Sequence, residues 1–300
     1  MKIISTEKVP EECKNIINIK DENLTDEDYK NAEILLTWPG RVNSDLIDKM
    51  PNLKVIQTFS AGVDDLNFSI VPPHVKVFSN AGAYSLSVAE HAWALILALA
   101  KGVGTKKRTI VYDVSEKTLL VLGGGGIGSE VARIGKTAFR NYVIGISRSF
   151  RKPEWFDEKH EMIMIREKIK EADIIVDTLP LNKQTRSLLN YDLLKDAKRN
   201  AIIVNVGRGE TVDEEGIYRL LKERQDVRFG TDVFWRKNGK EDFYNTKLWE
   251  LDNFTGTLHT AGAYGNESIM KRAMSMACLN VKKYIDKGVA DNEVRREDYV

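Results

Sequence analysis

An α/β fold built from two parallel-sheet domains is what this sequence predicts, and three observations carry the prediction. Short β-branched runs alternate with amphipathic helical patterns along nearly the whole chain, the rhythm of parallel strands joined by crossover helices. A glycine-rich segment, Val121-Leu-Gly-Gly-Gly-Gly-Ile-Gly128, stands in mid-chain between a strand-like run and a helical pattern. The chain has 300 residues, enough for two domains of ordinary size.

Taken in order, strands are expected at residues 2–5, 33–37, 55–59, 75–79, 119–122, 142–146, 174–178, 202–206, 228–232 and 254–257. Helical stretches fall between them at residues 44–50, 87–101, 167–171, 191–197 and 213–224, with a last one at 268–286. Asp213 is placed to cap its helix, and Glu214 and Glu215 suit that helix's positive end. Residues 101–117, with Gly102, Gly104 and a basic cluster, read as a hinge or exposed connection.

With Gly123, Gly125 and Gly128 as its fixed positions, the mid-chain segment reads G-x-G-x-x-G. The first glycine permits a tight turn, the second lets the backbone approach a pyrophosphate, and the third lets helix and strand pack closely. The helix start then offers free N–H groups to phosphates. Gly126 and Ile127 belong to the same cradle. A dinucleotide fold normally opens on this motif's strand, so residues 1–90 belong to a second α/β domain, to which the last helix returns. The expected division is 1–90 plus 268–300, the second domain, and 91–267, the dinucleotide-binding domain.

Composition narrows the remaining choices. With 42% hydrophobic and 30% charged residues and a net charge of +1, nothing suggests a nucleic-acid or anionic-membrane partner. The longest apolar stretch, residues 89–100, contains Glu90 and His91 and suits a buried helix. The N-terminus starts as a strand and not as a signal peptide. Cys13 and Cys278 lie far apart without metal-ligand spacing. Reduced cysteines in a cytoplasmic protein, and no metal site, are expected.

Further segments fall into order around the glycine motif: Ser60-Ala-Gly-Val-Asp64, Ser87-Val-Ala-Glu-His91, Val204-Asn-Val-Gly-Arg-Gly209 with Val212-Asp213-Glu214, Thr231-Asp-Val-Phe234 and Leu258-His-Thr-Ala-Gly262. The set resembles the D-isomer-specific 2-hydroxyacid dehydrogenase family over residues 33–270. The resemblance implies two Rossmann-like or flavodoxin-like domains, the nucleotide-binding one inserted in a discontinuous substrate domain, with the active site in the cleft. It also implies hydride transfer between a nicotinamide and a small 2-oxo or 2-hydroxy acid, and a homodimer. The segment after Lys101 looks shorter than the family's, which trims the expected dimer interface.

What the resemblance assigns has a physical reason at each position. Arg208 matches the family's arginine, whose planar fork binds carboxylate and carbonyl oxygens in fixed geometry. His259 matches the acid/base, since an imidazole can give or take a proton near neutrality. The backbone of Ala61, Gly62 and Val63 would donate to the substrate carboxylate. Thr178, Leu179, Pro180, Val206, Gly207, Asp232 and Gly262 resemble the nicotinamide-side contacts, with Asp232 accepting from the carboxamide. His74 and His160 read as surface residues, and His91 as structural or near the cleft. Trp38, Tyr84 and Trp235 are candidates for shaping the pocket or ordinary core aromatics.

Two positions depart from the family pattern. Its Glu, which bonds the histidine and favours the imidazolium, should follow Asp232-Val-Phe. Counting forward from Asp232 reaches Lys237, whereas counting back from Trp249 and His259 reaches Glu241 within one residue, so an insertion lies between. Glu241 is the expectation; no carboxylate at all, or another acid folding in, are the other outcomes. The second departure is at the end of the second strand, where NAD-preferring members place an acid. Here Ser147 stands, followed by Arg148 and Ser149, with Arg151 and Lys152 nearby. Hydroxyls and guanidinium groups bind a 2′-phosphate that an acid would repel, so NADP(H) is expected to be preferred, with NAD(H) possible. The expected activity is NADP-linked reduction of a small 2-oxo acid to the D-2-hydroxy acid, glyoxylate and hydroxypyruvate fitting better than a phosphoglycerate substrate. The alternative is a cofactor-binding sensor or corepressor-like interaction protein on the same scaffold.

Overall fold

A computed structural model describes residues 1–300. Two compact units emerge, Met1–Tyr84 with Gly265–Val300 and, between them in sequence, Ser85–Tyr264. The first holds β1 (Ile3–Ser5), α1 (Glu11–Ile16), β2 (Ile19–Lys20), α2 (Asp26–Asn31), β3 (Ile34–Thr37), α3 (Ser44–Asp48), β4 (Val55–Thr58), β5 (Lys76–Phe78) and the C-terminal helix Glu267–Lys287. Its strands run parallel in the order β2-β1-β3-β4-β5, one of the two common doubly wound arrangements.

Why the strands lie in the middle of this unit follows from their composition. Side chains alternate between faces along a strand, so an unbroken apolar run buries both. Ile34, Leu36 and Val55 face one core with Phe59, Ala277 and Val281. Ile4, Leu35 and Ile56 face the other with Met50, Leu53 and Phe68. The helix α2 begins with a capping box, Thr25 accepting from the Asp28 N–H and Asp28 from the Thr25 N–H.

The second unit contains α4 (Ser85–Lys101), β6 (Thr118–Gly124), α5 (Gly126–Phe139), β7 (Tyr142–Phe150), β8 (Glu158–His160), α6 (Ile165–Glu171), β9 (Ile174–Asp177), α7 (Tyr191–Leu194), β10 (Ile202–Asn205), α8 (Glu214–Glu223), β11 (Arg228–Thr231), β12 (Arg236–Lys237), β13 (Lys240–Glu241) and β14 (Phe254–Gly256); the C-terminal helix is α9. Seven strands form a parallel sheet in the order β14-β11-β10-β9-β6-β7-β8. The order reverses between β6 and β9, the switch point at which such sheets bind ligands beyond their carboxyl ends. The helix α4 lies wholly in this unit, its Trp93 indole donating to the Val131 carbonyl and stacking on Phe139 at 4.4 Å.

Several local expectations are corrected. The cysteines are not reduced: Cys13 on α1 and Cys278 on α9 form a disulfide, with Cα atoms 5.6 Å apart and both residues fully buried. Sequence distance hid this, because α1 and α9 pack together only through the tertiary fold. Asp213 stands at the cap of α8 but makes no side-chain cap hydrogen bond. The strand β7 runs on through Ser147–Phe150, and Phe150 pairs with Gly124. Short α1, α2, β2 and β8, and the β12–β13 hairpin, have too few residues for periodicity to reveal. No helix is long and apolar enough to cross a membrane.

Candidate active site

Strand ends of the second unit carry the candidate residues. Gly123, next to last in β6, has φ of +101°, and a Cβ there would meet Thr178 Oγ1 at 2.6 Å. Gly128 sits one helical turn on, where a Cβ would stand 1.8 Å from the Gly123 carbonyl. No side chain can occupy either place, which is why β6 and α5 approach so closely. Gly125 caps α5, and the space that a Cβ would enter there is open to 4 Å. The first-turn N–H groups of α5 therefore face a cradle that suits a pyrophosphate. Thr178, at the end of β9, donates to the carbonyls of Leu122 or Gly123, 2.9 and 3.1 Å away, tying the two switch-point strands together.

At the end of β7, Ser147 is half-buried, while Arg148, Ser149, Arg151 and Lys152 are exposed. Lys152 is taken up by Glu130 at 2.9 Å, a carboxylate that also binds Arg133. Ser149 donates its N–H to Ser147 Oγ.

The loop after β10 presents Arg208. Asn205 shapes it, accepting from the Gly207 N–H at 2.9 Å and donating to the Arg208 carbonyl at 2.8 Å. Gly207 is required because a Cβ would meet the Leu179 carbonyl at 2.5 Å. Val206 is buried and donates its N–H to the Asp177 carbonyl. The Arg208 guanidinium reaches the Gly207 carbonyl at 2.8 Å.

Beyond β11 and β14, one buried carboxylate organises the histidine loop. Asp232 Oδ1 accepts from Thr257 Oγ1 at 2.7 Å and from the Thr260 N–H at 2.9 Å, and Oδ2 from the Ala261 N–H at 3.0 Å. Its carbonyl accepts the His259 N–H at 2.7 Å. His259 is thereby held at φ of +52°, in the left-handed region that non-glycine residues seldom adopt. Most of Asp232's bonding capacity thus serves the loop. His91, on α4, bonds Thr257 Oγ1 at 2.6 Å and braces the same network.

Glu241 lies beside the histidine. Its Oε2 is 2.6 Å from His259 Nδ1, and its Oε1 accepts the Phe234 N–H at 3.1 Å. It ends the β12–β13 hairpin, in which Arg236 pairs with Glu241 and Lys237 with Lys240. Asn238 and Gly239, at φ of +53° and +77°, make the two-residue turn. Lys237, reached by forward counting, pairs instead with Asp242 at 3.1 Å. The bond to Glu241 raises the His259 pKa above its ordinary value; partial burial and the Arg208 charge pull it down by less.

Residues outside this group separate cleanly. Trp235 is core, its indole donating to the Val212 carbonyl at 2.7 Å. In the first unit, Trp38 packs on Phe59, and Tyr84 donates to the Phe59 carbonyl. The turn after β4 is braced by Ser60 Oγ donating to the Gly62 carbonyl at 2.6 Å. Ala61, Gly62 and Val63 spend none of their own N–H groups on protein acceptors. Gly262 lies in the turn following the histidine. Sequence reading missed Asp177 and Thr211, two buried polar residues that lie under the arginine loop.

Residues 76–261 match the family model described as D-isomer specific 2-hydroxyacid dehydrogenase, NAD binding domain. The chain belongs to this family of NAD(P)-dependent oxidoreductases. Among its relatives is the D-3-phosphoglycerate dehydrogenase of Methanocaldococcus jannaschii, 32% identical over 89% of the chain but only 52% of that protein; the chain spans about half its length. The glyoxylate reductase of Thermococcus onnurineus is 29% identical over 88% of the chain and 87% of its own length. A crystal structure from Pyrobaculum aerophilum, provisionally described as a formate dehydrogenase, superposes with a TM-score of 0.85 at 33% identity, covering 100% of both chains.

Proposed function

We propose that this protein reduces a small 2-oxo acid to the D-2-hydroxy acid and prefers NADP(H). The observation that supports the chemistry most is the Glu241–His259 bond, 2.6 Å long, with the Arg208 charge in electrostatic reach of the imidazole. A dinucleotide whose pyrophosphate lies on the glycine cradle would supply, from its nicotinamide, the hydride that adds to C2 of the acid. In this reading the Arg208 fork holds the carboxylate and carbonyl oxygens and favours the negative charge that develops on the latter. In the first unit, the N–H groups of Ala61, Gly62 and Val63 are unused by protein acceptors and suit a carboxylate. Glu241 takes the Nδ1 side of His259, so Nε2 carries the proton that goes to the carbonyl oxygen; in the oxidative direction the same atom takes it back. Asp232, Thr178, Leu179, Pro180, Val206, Gly207 and Gly262 border the nicotinamide side.

For the cofactor, Ser147, Arg148 and Ser149 at the end of β7 support a 2′-phosphate site, with Arg151 close in sequence. Lys152 contributes less because Glu130 already holds it. Steady-state kinetics with both cofactors test this: the KM for NADPH should be the lower, and Arg148→Ala should raise it about tenfold, the equivalent of one charge-assisted hydrogen bond. A lower KM for NADH in the wild type would defeat the preference. The reading includes a homodimer, for which exposed Val103, Ile110 and Val111 in the segment after α4 offer apolar surface. Light scattering that gives the mass of one chain would remove that part.

A further inference from the structure

Asp177 is fully buried at the end of β9, between β6 and β10. Its Oδ1 accepts the Leu179 N–H at 2.9 Å, and its Oδ2 lies 2.5 Å from Thr211 Oγ1. Its strand neighbours, Leu122 of β6 and Asn205 of β10, and its bonding partners, Leu179 in the turn after β9 and Thr211 in the 3-10 turn that follows Arg208, are all uncharged, and no charged group shifts its titration. Burial with no cation nearby raises its pKa to about 6, against the smaller opposing pull of Thr211 and Leu179.

The proton count decides its state. Thr211 Oγ1 is 2.5 Å from Asp177 Oδ2 and 2.7 Å from the Arg208 carbonyl. A hydroxyl has one proton, and an ionised carboxylate only accepts. Were Asp177 charged, one of these two oxygen pairs would face each other through lone pairs inside the protein. A proton on Asp177 satisfies both contacts: the carboxyl donates to Thr211, and Thr211 donates to Arg208.

We propose that Asp177 is a positioning residue that, as the neutral acid, donates through Thr211 to the Arg208 carbonyl, so that its protonation fixes the turn from which the substrate-binding arginine projects. This rests on the reading of Arg208 given above. When Asp177 ionises, the Thr211 proton swings to it. The Arg208 carbonyl then keeps only the Asn205 amide at 2.8 Å and the Thr211 N–H at 3.2 Å, and the turn loosens.

The test compares wild type, Asp177→Asn and Thr211→Val between pH 5 and 8. Asparagine donates to Thr211 at every pH, so the ratio of the wild-type KM for glyoxylate or hydroxypyruvate to that of Asp177→Asn should rise with pH. Thr211→Val should show a high KM throughout. The titration of His259 is common to all three proteins and cancels in the comparison. A KM profile in Asp177→Asn that follows the wild type overturns the proposal. Amide exchange of residues 205–211, taken as the ratio of wild type to Asp177→Asn at each pH, reads the same event without turnover. A ratio that rises with pH supports the proposal, and a flat ratio overturns it. If no protein turns over any 2-oxo acid, the catalytic reading falls while this ratio still decides the role of Asp177. An infrared carboxylic-acid C=O band present at pH 5 and lost in Asp177→Asn would support the neutral state, and its absence from the wild type would contradict it.

Discussion

Glu241 does for His259 what the surrounding protein alone would not. Burial and the neighbouring arginine both disfavour the imidazolium, and the hydrogen bond to Glu241 outweighs them. The sign of the consequence is definite. His259 has a raised pKa, so the charged form that donates a proton persists to higher pH and is lost as pH rises through that value. Glu241→Gln should therefore move the alkaline limb of kcat/KM for 2-oxo acid reduction to lower pH, and the acid limb of the oxidative reaction likewise. At a pH above both limbs, the reductive rate should fall about tenfold for every pH unit that the limb moves. A pH–rate profile that Glu241→Gln leaves in place would show that this carboxylate does not tune the histidine.

Elements matter here because they convert sequence spacing into contact. Gly128 has its role because α5 starts where β6 ends: a Cβ at 1.8 Å from the Gly123 carbonyl cannot be accommodated without moving helix or strand. Gly128→Ala should cost about 1–3 kcal/mol, the usual range for overpacking, whereas Gly125→Ala, whose Cβ enters the open space of the pyrophosphate cradle, should leave stability nearly unchanged and weaken cofactor binding. Equilibrium unfolding and fluorescence titration with NADPH would check both halves. The same contacts explain what was legible in advance. The long apolar strands were readable because each buries both faces, as Ile34, Leu35 and Leu36 do. Glu241 was reachable only by counting backwards, although Asn238-Gly239 is a hairpin turn signal that would have set Lys237 opposite Lys240 and Glu241 opposite Arg236. Asp177 was invisible for another reason: in Ile174-Ile-Val-Asp-Thr-Leu-Pro180 it looks like the polar end of a strand, and only the fold brings Thr211 to it.

On the scale of the molecule, the Cys13–Cys278 disulfide closes a separation of 265 residues and joins the two chain segments that make up the first unit. Two cysteines without local spacing carry no such information in sequence. The expectation of a cytoplasmic protein loses the support it drew from reduced thiols. A loop this long restricts the unfolded chain strongly; the chain-entropy model gives about 6 kcal/mol, and typical measured values are about 2–4 kcal/mol. Calorimetry of the Cys13→Ser/Cys278→Ser protein should show a Tm lower by several degrees, as should the wild type under reductant. Equal Tm values would mean that the bond adds nothing to the packing of α1 on α9.

What joins these scales is one claim, that Arg208 and His259 make the cofactor cradle a centre for hydride transfer to a 2-oxo acid. The most direct measurement is NADPH oxidation with glyoxylate, hydroxypyruvate and pyruvate by wild type, Arg208→Lys and His259→Gln. Turnover by the wild type is expected, with a raised KM in Arg208→Lys, which keeps the charge but loses the fork. A fall in kcat of about 10²-fold or more is expected in His259→Gln. No turnover across the panel with either NADPH or NADH, or a His259→Gln protein as fast as the wild type, would contradict the account.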